Sequence, residues 1–211
     1  MNFPFDKIYF LVYTEDAQRV SNVNDQIQKL GLTSNQYIIN NTVSFPYSYD
    51  CGKYLLNTDY ERLGWIIFRN SFAGVFNCVM EHYKMIRGAY NLGYEKILIC
   101  EDDINFIDNN KYIEDTFNQL PDKFGIVKFF YTDYRRTSKG FGLRKITGYL
   151  DGIKSTACYA IDRDGMEAYM KSFEKFFRPA DDVFEGCYDV LQVYTGPLIC
   201  YPQNFKSNIE I

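Results

Sequence analysis

Short apolar runs alternate along this chain with segments in which apolar residues recur every three or four positions. The runs are rich in β-branched and aromatic residues, which is typical of strands buried on both faces. They cover residues 7–13 (KIYFLVY), 96–100 (KILIC), 125–131 (GIVKFFY) and 156–161 (TACYAI). The clearest helical pattern covers residues 74–92 and ends at Gly93. This alternation predicts one α/β domain with a mainly parallel central sheet and flanking helices.

Weaker patterns add further helices, strands and loops to this outline. The additional helices are expected at residues 15–30, 111–120 and 163–175, the last with Asp162 as its N-cap. The additional strands are expected at residues 36–39 and 190–201. Two segments, 45–60 and 133–152, are rich in turn-forming or basic residues and are interpreted as loops.

The composition is that of an ordinary globular chain of 211 residues, with 46% hydrophobic and 24% charged residues. A net charge of −4 and a pI of about 5.1 provide no basic field, so no nucleic-acid partner is expected. No apolar run approaches the ~18 residues of a membrane span, and residues 1–13 do not resemble a signal peptide. A cytoplasmic location is therefore expected, with peripheral contact to a membrane left open.

The six cysteines show no Cys-x-x-Cys spacing, which argues against a zinc site or a redox pair. Four of them lie in apolar runs and are expected to be small buried thiols in a reducing compartment. These four are Cys78, Cys100, Cys158 and Cys200.

Three adjacent carboxylates, Glu101, Asp102 and Asp103, follow the apolar strand 96–100 directly. Adjacent carboxylates repel one another, and partial burial increases that cost. A bound Mg²⁺ or Mn²⁺ removes it, because hard cations prefer oxygen ligands. In open α/β sheets, ligands bind beyond the carboxyl ends of strands, which is where this cluster is predicted to lie. The alternative is that one carboxylate caps the next turn and the others are solvated.

Short blocks with a defined order carry a family resemblance. They are residues 7–11 with Arg19 behind them, Gly74 with Cys78 and His82, residues 97–103, residues 156–161 with Gly165, and the Pro179-Ala180-Asp181-Asp182 segment. In order and approximate spacing, these blocks resemble glycosyltransferase family 25, the lipopolysaccharide-type galactosyltransferases. The early basic motif is thinned to a single arginine, and Val75, Asn77 and Glu81 stand where the family has other residues.

The resemblance implies a single GT-A-like domain over residues 1–211, a sugar-nucleotide donor such as a UDP-hexose, and Mn²⁺ (or Mg²⁺) as cofactor. Residues 1–103 would form the nucleotide-sugar-binding half and residues 104–211 the acceptor-side half. Asp103 is the first candidate for a direct metal ligand, with Asp102 as its helper. Glu101, Asp102 and Arg19 are the substrate-binding candidates in the first half.

The acceptor-side candidates carry open alternatives. Asp181 and Asp182 are catalytic candidates, because an inverting transfer needs a base near the acceptor hydroxyl; the alternative is an acidic pair at a helix N-terminus. Arg135 and Arg136 lie in a Gly-rich loop. One interpretation is that this loop is a lid that binds the diphosphate, and the alternative is that it is a solvated loop.

His82, the only histidine, lies on the apolar stripe of the 74–92 helix. A core histidine satisfied by a hydrogen bond is one interpretation. The other is that it braces the substrate site, because it matches the histidine of the family motif.

The leading hypothesis is a metal-dependent hexosyltransferase that inverts the anomeric centre and uses a glycan or lipid-linked saccharide as acceptor. The alternatives are a catalytically degenerate module that binds a glycan or a nucleotide, and another metal-dependent nucleotide chemistry such as nucleotidyl transfer. The last usually has a Gly-rich phosphate loop near the N-terminus, and the sequence shows none.

Overall fold

Strands and helices alternate in the computed structural model of the chain, which describes residues 3–42, 72–131, 144–145, 155–175, 180, 183, 187 and 193–203. The strands are β1 (Lys7–Tyr13), β2 (Tyr37–Thr42), β3 (Lys96–Glu101), β4 (Ile104–Phe106), β5 (Ile126–Lys128), β6 (Arg144–Lys145), β7 (Cys158–Asp162), β8 (Val193–Thr195) and β9 (Cys200–Pro202). The helices are α1 (Ala17–Lys29), α2 (Phe72–Asn91), α3 (Asn110–Asn118) and α4 (Arg163–Lys175).

The central sheet of the described residues has seven strands in the order β2-β1-β3-β7-β5-β8-β6. Strands β2, β1 and β3 are mutually parallel, and β5 is parallel to β8. Because β7 is antiparallel to both β3 and β5, the strands β2, β1, β3, β5 and β8 share one direction, which β7 and β6 oppose. The predicted α/β architecture with a mainly parallel sheet is therefore confirmed.

Each face of the sheet is covered by its own pair of helices. On one face lie α2 and α4, where Tyr83 stacks on Phe173 with 4.1 Å between the ring centroids. On the other lie α1 and α3, where Phe117 meets Phe129 edge-on at 5.2 Å. Alternate residues of β3 enter the two layers, so this strand is buried on both faces. Full burial of one such apolar side chain contributes about 1.5–3 kcal/mol.

Local capping signals set one end of each of three helices, and two of these signals, Asp162 and Gly93, were predicted from the sequence. The Asp16 carboxylate accepts hydrogen bonds from the amides of Gln18 and Arg19 and caps α1, which explains why that helix begins at Ala17. Asp162 caps α4 by accepting from the Gly165 amide at 2.9 Å. After α2, Gly93 adopts a φ of 79°, a conformation that glycine reaches without strain.

The C-terminal strand is the main departure from the sequence prediction. Where one strand was expected over residues 190–201, the structure has β8 in the central sheet and β9 paired antiparallel with β4 in a second, two-stranded sheet. The chain leaves the central sheet at Gly196, which packs against Phe129, and at Pro197, which has no N–H to continue the ladder. Strand β4 follows the acidic cluster and was not predicted, because three residues are too few for a periodic signal.

The Gly165→Ala substitution tests how tightly α4 packs on the sheet. A Cβ at this position would overlap the carbonyl oxygen of Gly125 and lie 2.7 Å from Cγ1 of Ile161. We expect the free energy of unfolding to fall by about 1–3 kcal/mol, as overpacking does elsewhere. The matched control is Gly88→Ala in α2, where an added Cβ meets nothing within 4 Å. Urea denaturation of both variants measures the difference, and equal stabilities would contradict the packing described.

Among the described residues, none of the helices combines the length and the apolar character that a bilayer crossing requires. The predicted loops 45–60 and 133–152 lie outside the described residues, apart from the two-residue strand β6.

Candidate active site

The acidic cluster lies at the point where the strand order of the sheet reverses. From β1 the chain crosses to β2 on one side, and then returns to β3 on the other side of β1. In open α/β sheets, such a reversal leaves a crevice at the carboxyl ends of the two central strands. Tyr13 ends β1 and Glu101 ends β3, so Asp102 and Asp103 stand at the mouth of that crevice.

Asp102 is held by two partners and is only 5% exposed. Its Oδ2 accepts a hydrogen bond from the Tyr13 amide at 2.6 Å, and its Oδ1 accepts one from the Arg19 guanidinium. Burial raises the pKa of Asp102 above its usual value, and the Tyr13 amide and Arg19 act against that rise. The ion pair therefore ties α1 to the ends of β1 and β3, and it places a guanidinium in the crevice.

Asp103 is the least compensated carboxylate of the cluster. Its side chain is 36% exposed, and its Oδ2 lies 4.0 Å from Nη1 of Arg19. Burial, together with the charges of Glu101 and Asp102, raises the pKa of Asp103 to about 7, and Arg19 offsets only part of that rise. An added cation would supply the missing compensation. The residues present thus fit a hard divalent ion, with Asp103 as the available oxygen ligand.

The main chain of the acidic turn is fixed by polar side chains and by β9. The Asn22 amide group donates to the carbonyl oxygens of both Asp102 and Ile104 at 2.9 Å. The Gln203 amide donates to the carbonyl oxygen of Asp103 at 2.6 Å. These contacts were not predicted, because Asn22 and Gln203 come together with the turn only after α1 and β9 have packed.

Glu101 faces away from Arg19, toward α2, and belongs to a buried polar chain. His82, which is fully buried, places Nε2 3.2 Å from Oε1 of Glu101 and Nδ1 2.8 Å from the Tyr159 hydroxyl. The Thr156 hydroxyl also donates to Glu101. Burial raises the pKa of Glu101, but the hydrogen bond and charge of His82, with Thr156 and Arg19, outweigh it and leave the pKa below its usual value.

His82 is thus a core histidine satisfied by hydrogen bonds, as the first interpretation of the sequence has it, and its contact with Glu101 is with a carboxylate of the cluster. Its role in a substrate site stays a prediction. Cys78 lies one helical turn before it, and one ligand atom from each of Cys78, His82 and Glu101 falls within 4.8 Å of the others. Tyr159 and Thr156 were missed in the sequence, because strand β7 had no predicted position next to β3.

The structure brings Arg19, His82, Glu101, Asp102 and Asp103 together around the carboxyl end of β3. The remaining candidates, Arg135, Arg136, Asp181 and Asp182, lie outside the described residues. Their roles stay predictions.

Comparison with known proteins finds solved structures of similar fold, but no sequence family. No family model and no curated protein matches the chain. Among solved structures, the inositol-1-phosphate CTP transferase from T. maritima is 11% identical with a TM-score of 0.51, over 100% of this chain and 93% of that one. The chain has a GT-A-like fold. At this level of identity, the likeness concerns the fold alone.

Two further solved structures are similar at a lower score. They are A197 from STIV, at 12% identity over 95% of this chain and 86% of that one, and a glycosyltransferase involved in the glycosylation of the major capsid of PBCV-1, at 13% identity over 90% and 81%. Both have a TM-score of 0.45.

Proposed function

We propose that this chain is a metal-dependent glycosyltransferase that moves a hexose, such as galactose, from a UDP-hexose to a glycan or lipid-linked saccharide acceptor with inversion. The observation that carries the proposal is the position of Asp103, an undercompensated carboxylate at the β1–β3 crevice of a GT-A-like sheet. A sugar nucleotide bound there would bring its diphosphate next to the carboxylates, and a cation is needed between groups of like charge.

The proposed cation is Mn²⁺ or Mg²⁺, held by Asp103 and assisted by Asp102. Both oxygens of Asp102 already accept a hydrogen bond, but each carboxylate oxygen has two lone pairs and retains capacity for a cation. When bound, such an ion stabilises negative charge on a departing diphosphate. Arg19 adds a fixed positive charge in the same crevice, anchored by Asp102.

The acceptor side rests on residues that the sequence alone proposes. Asp181 or Asp182 would take the proton from the acceptor hydroxyl as it attacks the anomeric carbon, while the bond from that carbon to the diphosphate oxygen breaks. Arg135 and Arg136 would close over the diphosphate as a lid.

The lid hypothesis predicts that Arg135→Ala combined with Arg136→Ala raises the KM for the donor by at least about tenfold, since the loss of even one charged hydrogen bond costs about 1.5–3 kcal/mol and about 1.4 kcal/mol is a factor of ten. The matched control is Lys111→Ala with Lys123→Ala, two exposed lysines on described surface elements. Steady-state kinetics with varied donor measures the effect. An unchanged KM would remove the lid from the proposal.

Nucleotidyl transfer is the second candidate, and the likeness to the inositol-1-phosphate CTP transferase favours it. The two chemistries consume different donors and release different products. Sugar transfer from UDP-hexose releases UDP, whereas nucleotidyl transfer from CTP releases pyrophosphate. Incubation with each donor and Mn²⁺, followed by product analysis, separates them.

A third outcome is a degenerate module that binds without reacting, which the substitutions at Val75, Asn77 and Glu81 motivate. In the structure Glu81 is engaged by Asn40 and Lys84, so this position serves the contact between α2 and β2. Calorimetric binding of UDP with Mn²⁺, without release of UDP from any UDP-hexose across an acceptor panel, would support this module.

A thermal-shift screen of sugar nucleotides with and without Mn²⁺ tests the proposal directly. At a ligand concentration 100 times its Kd, the native state gains about 2.7 kcal/mol. For a domain of this size, that gain raises Tm by roughly 5–10 °C. We expect the shift for a UDP-hexose only when Mn²⁺ is present. The same shift in EDTA would contradict the metal-dependent site.

A further inference from the structure

A second cluster of ligand atoms lies on the α2 side of β3, apart from the oxygen ligand Asp103. We propose that Cys78, His82 and Glu101 bind a borderline-soft divalent cation. Their sulfur, nitrogen and oxygen ligand atoms favour Zn²⁺. α2 supplies the thiol and the imidazole one helical turn apart, and the end of β3 supplies the carboxylate. The proposal does not depend on which transfer reaction the chain performs.

The spacing of the three groups fits a metal of zinc's size. Zinc lies about 2.0–2.2 Å from nitrogen and oxygen ligands and 2.3 Å from sulfur, so tetrahedral neighbours are roughly 3.3–3.7 Å apart. His82 Nε2 and Glu101 Oε1 are already 3.2 Å apart. The three ligand atoms fall within 4.8 Å of one another, so modest side-chain rotations close the set around one ion.

The imidazole of His82 and the carboxylate of Glu101 are each oriented by a further hydrogen bond. The His82 ring stacks near Tyr159, whose hydroxyl lies 2.8 Å from Nδ1, so that hydrogen bond turns Nε2 toward Glu101. Thr156 donates to the Glu101 carboxylate and fixes its direction. Metal-binding histidines and carboxylates show this pattern of outer hydrogen bonds, which sets the tautomer and the ring orientation.

The donor chemistry separates this cluster from the Asp103 position. Sulfur, nitrogen and oxygen together suit Zn²⁺ or Co²⁺, whereas an all-oxygen ligand suits Mg²⁺ or Mn²⁺. The sequence argument against zinc concerned sites built on a Cys-x-x-Cys pair, and the proposed set replaces that expectation because it uses a single thiolate. Three protein ligands leave a fourth position, and the partly exposed Cys78 and Glu101 give water access to it. A bound ion would pin α2 to the carboxyl end of β3.

The test is titration of the purified full chain with Co²⁺, and with Zn²⁺ in competition. A thiolate ligand gives Co²⁺ an intense near-ultraviolet charge-transfer band that oxygen ligands do not give. We expect one equivalent of Co²⁺ to produce the band and Zn²⁺ to remove it. Cys78→Ser should abolish the band, and Tyr159→Phe should weaken Zn²⁺ binding by about 10-fold or more by releasing the imidazole.

Two control variants test whether the Co²⁺ band comes from the Cys78 site. Cys187→Ala removes another buried thiol in the same apolar layer, and it should leave the band unchanged. Asp103→Asn should leave the Co²⁺ band intact while it removes the response to Mn²⁺. Circular dichroism confirms that each variant is folded, and His82→Gln replaces Cys78→Ser if the latter is not.

The proposal is overturned if Co²⁺ gives no charge-transfer band, or if the band survives in folded Cys78→Ser or His82→Gln protein. Loss of the band in Cys187→Ala would also overturn it, because the thiolate would then lie elsewhere. None of these results changes the expectation for Mn²⁺ and sugar nucleotides, so failure here is distinguishable from failure of the proposed transferase.

Discussion

Replacing Asp103 by asparagine is expected to abolish metal-dependent nucleotide binding and to lower sugar transfer by at least about 100-fold. An amide cannot supply the negative charge that a cation needs at the crevice. The same change removes a repulsion from Glu101 and Asp102, so the fold without metal should not be weakened. Loss of activity with an unchanged melting temperature would therefore report on chemistry and not on folding.

The control for Asp103 is Asp122→Asn. The Asp122 carboxylate is exposed and pairs at 3.5 Å with Lys96, at the end of β3 opposite to the acidic cluster. Its removal should leave Mn²⁺ binding and transfer unchanged. Calorimetry with UDP and Mn²⁺, followed by UDP release assays, measures both variants. Full turnover by Asp103→Asn in EDTA would refute the proposed role of this carboxylate.

Arg19→Met is expected to lower the free energy of unfolding by about 3–5 kcal/mol, the usual cost of leaving a buried charge without its partner. Asp102 and Arg19 are 5% and 6% exposed, so solvent replaces little of the lost interaction. In urea, with a slope near 2–3 kcal/mol/M, the midpoint should fall by roughly 1–2 M.

A double-mutant cycle separates the ion pair from the packing of the arginine stem. Asp102→Asn keeps an oxygen that can accept from the Tyr13 amide, and combined with Arg19→Met it removes the unpaired charge. The double variant should therefore be more stable than Arg19→Met alone. Equal free energies of unfolding for Arg19→Met and the double variant would mean that the unpaired charge of Asp102 is not the cause of the destabilisation.

The secondary-structure elements that were predicted best are those determined by residues close together in the sequence. Strands β1 and β3 are buried on both faces and read as continuous apolar runs, and the C-terminal ends of α1 and α2 coincide with the positive-φ glycines Gly31 and Gly93. The position of the acidic cluster also followed from the sequence, because it comes directly after an apolar strand that is parallel to β1.

The arrangement of the strands was not accessible in this way. Antiparallel β7 lies between β3 and β5, and no local pattern distinguishes that insertion from a further parallel strand. The contact of His82 with Glu101 depends on it, since Tyr159 and Thr156 reach the histidine and the glutamate from β7 and the residues before it. A sequence shows that Cys78 and His82 share a helix face, but not which strand end that face meets.

The hydrogen-bonded carbonyl groups of residues 102–104 also determine how the crevice can respond to an ion. Asn22 and Gln203 hold those oxygens in place, so the main chain of the turn is fixed and the carboxylate of Asp103 can turn toward a cation by itself. Capture and release would then require a single side-chain rotation on the picosecond-to-nanosecond scale, not a loop rearrangement. Amide hydrogen exchange in this turn should accordingly be equally slow in metal-loaded and metal-free protein.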